Sequence, residues 1–293
     1  MNNNVTIKRN WSMRNNWLML IGPALLMLGA TTLYPIGFAV FLSFQEWNWG
    51  ATSEFIGLAN FVEILGKNTF WTALFNTFYF SAGAVTAELL LGLGLAVAIN
   101  RLGFGAGVIR TMLLLPLMVS GIAVALVWKI LLDPTLGIVN YLLESIGLPG
   151  SVWFGAPSSA MPAVILVDTW WQTAFVFIIL SAGLKSLPQE PYEAAELEGA
   201  SGWQTFRHIT LPLLKPVLIT VIIFRTIDTL KVFDIVFGTT GGGPLQATEV
   251  AQTLGYRTAF KFLKFGESAA IMLVFSAIIL TLCIVYLRIG EEK

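Results

Sequence analysis

Residues 185–216 read KSLPQEPYEAAELEGASGWQTFRHITLPLLKP and separate two long apolar runs, Ala160–Leu184 and Leu213–Phe237. Within this polar stretch the punctuation of a helical hairpin is explicit. Pro191 suits a first helical turn, where its missing N–H would have no partner. Glu190, Glu193 and Glu196 crowd the same turns, where the helix dipole favours anions. The spacing predicts a helix over Tyr192–Glu198, stopped by Gly199 at its C-terminal cap. A second short helix is predicted from Trp203, with Trp203, Phe206 and Arg207 on neighbouring turns. It should end before Leu211-Pro212, because proline disfavours helix in the residue before it.

The chain around the hairpin is far too apolar for water. Of 293 residues 56% are hydrophobic and only 12% charged, and mean hydropathy is +0.76. Soluble domains carry about 25% charged residues, and a chain of this length still exposes roughly a quarter of its unfolded surface. The sequence therefore reads as an all-α polytopic integral membrane protein. A bilayer core of ~30 Å needs ~20 apolar residues in a helix. Six runs qualify: Trp17–Phe44, Trp71–Ile99, Val108–Leu131, Ala160–Leu184, Leu213–Phe237 and Ser268–Leu287. The first contains Gly22-Pro23 and Tyr34-Pro35, which predict kinks. Its length exceeds the ~7–15 residues of a signal-peptide core, so it reads as a retained span. No linker or internal repeat divides residues 1–293, which read as a single transmembrane domain with the 185–216 loop within it.

Orientation follows the positive-inside bias. With a cytoplasmic N-terminus, the inner side holds Lys8, Arg9, Arg14, Arg101, Arg110, Lys185, Arg207, Lys215, Arg288 and Lys293. The outer side holds only Lys67, Lys129, Arg257, Lys261 and Lys264. Both termini are thus expected in the cytoplasm. The longer outer loops, 45–70, 132–159 and 238–267, carry Trp47, Trp49 and Trp153 near the expected interface, beside Trp71 at the start of the second span.

On this topology the hairpin faces the cytoplasm. It could lie in the headgroup layer as an interfacial pair. Four acidic residues between Glu190 and Glu198 argue against that, since an anionic inner leaflet would repel them. A docking element for a soluble partner explains them better. At this point the sequence resembles a known family. Glu193-Ala194-Ala195, then Gly199, then Ile209 and Leu211-Pro212 match the EAA signature of ABC-importer permeases without a gap. The surroundings are similar to the carbohydrate-uptake branch: Arg225-Thr226-Ile227-Asp228, Phe233-Asp234, Thr240-Gly241-Gly242-Gly243-Pro244 and Ala259-Phe260, with Asn60-Phe61 and Asn76-Thr77 earlier. Glu198 departs from the Asp that relatives often place before Gly-Ala. The resemblance implies a type I ABC-importer permease fold in a bacterial or archaeal plasma (inner) membrane. It implies that residues 185–216 form a coupling loop, with Glu193, Ala194, Ala195 and Gly199, and beside them Trp203, Phe206 and Arg207, meeting an ATPase. It further implies a second homologous permease subunit, two ATP-binding subunits and an extracytoplasmic sugar-binding protein, with a sugar as cargo. ATP and Mg would belong to the partner ATPase. This chain has no GxxxxGK[ST] phosphate loop, and its Gly241-Gly242-Gly243 reads as a turn.

Polar residues inside the spans mark a path or a helix contact, because each charge costs ~2.5–3.5 kcal/mol in the bilayer. Glu88 falls in the second span, Asp168, Trp171 and Gln172 in the fourth, and Arg225, Asp228, Lys231 and Asp234 in the fifth. At 1.5 Å per residue, Glu88 and Arg225 both come near mid-membrane. Asp168 and Lys231 come nearer the outer mouth. The expected pairs are therefore Glu88–Arg225 and Asp168–Lys231 around a translocation path. Helix adhesion is the competing reading of the same charges. Trp170, Trp171 and Phe175 are either stacking platforms for a sugar ring or packing.

Other chemistries find little support. The balance of 17 basic and 17 acidic residues gives no field to hold nucleic acid. One cysteine, Cys283, and one histidine, His208, offer no disulfide framework, catalytic constellation or metal set. A membrane enzyme is thereby disfavoured, and a self-sufficient carrier or channel would not need the acidic hairpin.

Overall fold

The computed structural model describes residues 13–50, 52–100, 102 and 105–291. Lys8, Arg9, Arg101 and Lys293, used above for orientation, lie outside them. Helix α1 (Met13–Ser43) leads to a short ribbon, β1 (Gln45–Glu46) antiparallel to β2 (Glu54–Phe55), and then to α2 (Ala59–Gly66). The long α3 (Asn68–Asn100) returns through the molecule. Next come α4 (Ala106–Leu114), α5 (Gly121–Leu131), α6 (Ile138–Ser145) and the long α7 (Pro157–Lys185). The hairpin follows as α8 (Glu190–Leu197) and α9 (Gly202–Thr205), and α10 (Leu211–Leu230) climbs back. Helices α11 (Asp234–Thr239), α12 (Ala251–Phe260) and α13 (Phe265–Glu291) complete the chain.

Five helical stretches are long and apolar enough to cross a bilayer: Ile21–Ser43, Asn68–Asn100, Pro157–Lys185, Gly202–Leu230 and Phe265–Tyr286. The sixth expected span, Val108–Leu131, is not a straight helix. It is broken into Ala106–Met118 and Gly121–Leu131, bent by 99°. Pro116 ends the first piece in a short 3-10 turn, and extended Val119 and Ser120 (ψ 140° and 145°) start the second. In contrast, α1 runs unbroken through Pro23 and Pro35. The stretches 45–70, 132–159 and 238–267, expected as loops, are more structured than their composition suggests, since they contain β1, β2, α2, α6 and α12.

Close approach of backbones sets the packing. A Cβ on Gly92 of α3 would meet Val176 of α7 at 2.6 Å, and one on Gly183 would meet Val217 of α10 at 2.9 Å. Lipid chains are as apolar as leucine, so helices in a membrane gain mainly from tight van der Waals contact, which small residues permit. Three buried clusters result. One joins α3, α5, α7 and α11 through Phe80, Val124, Val164 and Ile235. A second joins α2, α3, α12 and α13 through Ile64, Phe70, Leu254 and Phe275. The third, near the hairpin, joins α3, α7 and α10 through Ile99, Phe177, Leu180 and Leu214.

The fifth span also departs from its expected bounds. Its predicted end, Phe237, lies on α11, because α10 stops at Leu230 and Lys231–Phe233 turn the chain. Its start is continuous with α9. No break precedes Leu211-Pro212; a π-turn over Phe206–Thr210 carries the helix through. There Leu211 N–H bonds Phe206 O, one residue further back than in an α-helix. The wider turn gives the Pro212 ring room beside a carbonyl that it cannot satisfy.

Candidate functional site

Arg225 sits where α10 crosses α3 and α7, and it is 2% exposed. Its guanidinium donates from Nε to Glu88 Oε2 at 2.6 Å and from Nη2 to Glu88 Oε1 at 2.8 Å. This two-point fork matches carboxylate geometry. Nη2 also donates to Asp168 Oδ2 at 3.0 Å, and Nη1 reaches Asp228 one turn along its own helix. Three carboxylates from three helices therefore share one cation. Beside them Ser81 and Thr229 hydroxyls lie 2.6 Å apart, and Thr229 Oγ1 donates to the Arg225 carbonyl at 2.8 Å.

The Glu88–Arg225 pair read from depth is thus present in the structure. The Asp168–Lys231 pair is not. Asp168 is drawn to Arg225 instead, because the fork has N–H groups left after Glu88 is satisfied. Lys231 lies one residue past the end of α10 and is exposed, with no ion pair among the described residues. A cavity of about 230 Å³ adjoins the cluster. It is lined by Asp168, Trp171 and Gln172 of α7, by Arg225 and Asp228 of α10, and by Lys231, Phe233 and Asp234 at the turn into α11. All seven expected path residues other than Glu88 face this one space, and Glu88 stands behind Arg225. The Trp171 indole N–H is buried without a hydrogen-bond partner among the described residues. Trp170 turns elsewhere and packs edge-on against Trp128 at 5.4 Å, while Phe175 joins the cluster near the hairpin.

The hairpin occupies the opposite end of the molecule from the α3 N-terminus. Helix α8 ends in a Schellman arrangement: Ala200 N–H bonds Ala195 O at 2.9 Å and Gly199 N–H bonds Glu196 O at 3.1 Å. Gly199 has φ +73°, the left-handed conformation that glycine adopts without a Cβ penalty. Helix α9 begins with a capping box, Ser201 N–H to Gln204 Oε1 at 2.8 Å with Gln204 N–H returned to Ser201 Oγ. Tyr192 Oη donates to Thr210 Oγ1 at 3.1 Å, tying α8 to the π-turn below α10. His208 Nδ1 lies 3.0 Å from Gln204 O, on the exposed side of this turn.

Of the residues expected to meet a partner, Ala195 is buried against its own chain, and Glu193, Ala194, Gly199, Trp203 and Arg207 are exposed; Phe206 is half-buried, its ring 5.6 Å from that of Trp203. Sequence reasoning missed Leu197. It is 90% exposed, more than Trp203 at 66%, a signal available from its position one turn beyond Glu193 but hidden among the acidic residues. A cavity of about 380 Å³ opens between the two short helices, bordered by Ala195, Glu198, Gly199 and Gln204.

A membrane-embedded charge cluster beside a polar cavity, joined by continuous helices to an exposed hairpin, describes a transport subunit. The chain belongs to the family of binding-protein-dependent transport system inner membrane components, which matches residues 88–291. Over 294 aligned residues it is 36% identical to the trehalose/maltose transport system permease protein MalF of Thermococcus litoralis, covering 100% of this chain and 99% of that protein. It is 33% identical to the sulfoquinovosyl glycerol transport system permease protein SmoG of Agrobacterium fabrum, covering 94% and 90% of the two chains. Its fold is that of a chain in a bacterial alginate ABC transporter solved with an alginate pentasaccharide-bound periplasmic protein. The TM-score is 0.84 at 23% identity, covering 97% of this chain and 98% of that one.

Proposed function

We propose that this chain is one membrane-spanning permease subunit of an ATP-driven, binding-protein-dependent sugar importer, moving a saccharide or related glycoside inward by alternating access. A single observation carries the coupling part of this reading. The hairpin is rigidly built and anchored between α7 and α10, yet Leu197 and Trp203 are largely exposed on it and its four glutamates make no ion pair among the described residues. A partner that covers Leu197 and Trp203 while meeting the glutamates with basic groups would satisfy it. That partner is an ATP-binding subunit, which would hold ATP and Mg. The related permeases named for trehalose/maltose and sulfoquinovosyl glycerol support a sugar as cargo. A second homologous permease and an extracytoplasmic binding protein complete the assembly.

The hairpin and both termini lie in the cytoplasm on this reading, in keeping with the distribution of lysine and arginine. Residues 1–293 act as one transmembrane domain. The residues around the Arg225 cavity line the path: Asp168, Gln172, Asp228 and Asp234 offer acceptors to sugar hydroxyls, Lys231 and Trp171 offer donors, and Glu88 positions Arg225. ATP closure of the partner dimer would move α8 and α9, and the helix through the π-turn would pass that motion to Arg225. A bound cargo shifts the balance of outward and inward forms only by its difference in affinity for the two.

Mild affinity capture of this chain from detergent, with companions identified by mass spectrometry and the eluate assayed for ATP hydrolysis, tests the proposal. Recovery of a second permease and an ATP-hydrolysing subunit is the expected result. Recovery of this chain alone, folded and without ATPase, would point to a self-sufficient carrier.

A further inference from the structure

We infer that a ladder of aromatic rings leading out of the Arg225 cavity is a track on which pyranose rings travel to and from it; the inference rests on the sugar reading above. Phe233 lines the cavity. Its ring centroid lies 5.0 Å from Phe237 and 5.3 Å from Tyr256, and those two are 5.1 Å apart. Tyr256 continues to Phe260 at 4.9 Å, Phe260 to Phe265 at 6.3 Å, and Phe265 to Trp49 at 6.1 Å. The ladder rises along α12. At its lower end the Ala251 N–H donates to Thr77 Oγ1, nine residues into α3 and so about 14 Å below its start. At its upper end it meets Trp49, which is 71% exposed.

Two features separate this strip from packing or a lipid face. The opposite sides of α11 and α12 already fill the core through Ile235, Val236, Leu254 and Ala259, all buried, while Tyr256 and Phe260 remain 37% and 62% exposed. Charged and exposed side chains flank the rings, with Asp228, Lys231 and Asp234 below and Lys261 above. A lipid-facing surface excludes such charges, so the strip faces an aqueous space. Sugars suit that pairing. The C–H face of a pyranose lies flat on an aromatic ring, and its hydroxyls are left to water and the flanking charges. Successive platforms are 4.9 to 6.3 Å apart and their planes turn by 15° to 86°, so a sugar moving along the strip meets faces and edges in turn. The Tyr256 hydroxyl makes no hydrogen bond among the described residues and adds a free polar group midway.

The test uses the complete transporter in proteoliposomes with its binding protein. The probe is whichever labelled saccharide of a mono-, di- and trisaccharide panel the wild-type complex accumulates. Tyr256→Leu and Phe260→Leu keep apolar bulk and remove the flat ring; Tyr256→Trp keeps a ring. The track predicts uptake about tenfold lower in each leucine variant and near wild type in Tyr256→Trp, with ATP hydrolysis and gel-filtration profile retained in all three. Uptake within about twofold of wild type in both leucine variants would overturn the track, as would loss of subunits on gel filtration, which would make the strip a subunit interface. Accumulation of no saccharide by the wild type would instead remove the sugar reading itself.

Discussion

In the bundle Glu88, Asp168 and Asp228 all meet Arg225 of their own chain, whereas on the hairpin Glu190, Glu193, Glu196, Glu198 and Arg207 meet no ion-pair partner among the described residues. The difference follows from the surroundings. Deep in the bundle an unpaired charge costs several kcal/mol, so three carboxylates converge on one guanidinium. On the hairpin water solvates each group, and an exposed ion pair would contribute only ~0–1 kcal/mol. The cluster is therefore complete within this chain, while the hairpin is folded but unfinished until something docks on it. The first region should respond to mutation mainly through stability, and the exposed residues of the second mainly through function.

Arg225→Met breaks the first half of that contrast most severely. It leaves Glu88 and Asp168 buried without a cation and should cost ~3–5 kcal/mol. Thermal retention of the monodisperse protein in detergent measures this; an unchanged profile would mean that the cluster does not hold the helices. Glu88→Gln should cost less, ~1–3 kcal/mol, because the guanidinium keeps Asp168 and Asp228. A double-mutant cycle between these two positions should give a coupling of roughly 0.5–3 kcal/mol, and additive effects would dissolve the pair. Tyr192→Phe removes the bond to Thr210 and should cost ~0.5–1.5 kcal/mol. Faster amide exchange confined to residues 190–205 checks it, and spread into α10 would show that hairpin and span are not separable. Gly199→Asn is the mildest for the fold. Asparagine enters the left-handed conformation more readily than other side chains, and a Cβ at Gly199 meets nothing within 4 Å, so the melting profile should fall only slightly, by the strain of a side chain at φ +73°.

Much of this arrangement was legible in the sequence, because hairpin and spans are written locally. Pro191 and Gly199 carry their own turn chemistry, whereas the Ser201–Gln204 capping box emerges only in the structure, and a count of 1.5 Å per residue brought Glu88 level with Arg225. The failures share a cause. Asp168 was assigned to Lys231 by depth alone, but depth does not say that α10 ends at Leu230 and that Lys231 then swings into the open. The bend at Pro116 within the third span was likewise invisible to hydropathy, which averages over such breaks. The aromatic ladder joins residues from β1–β2, α10–α11, α12 and α13, so its continuity exists only after the elements pack. Leu197 escaped notice because its neighbours are acidic and its exposure is a property of the hairpin as a whole.

The most direct test of the central claim is sugar uptake by proteoliposomes holding the assembled complex with Gly199→Asn in this chain. The account predicts a folded variant with near-wild-type thermal stability whose uptake falls by about tenfold or more, the equivalent of at least ~1.4 kcal/mol, because a side chain now stands where the partner must approach. Normal uptake at normal stability would contradict it and leave the hairpin without its docking role.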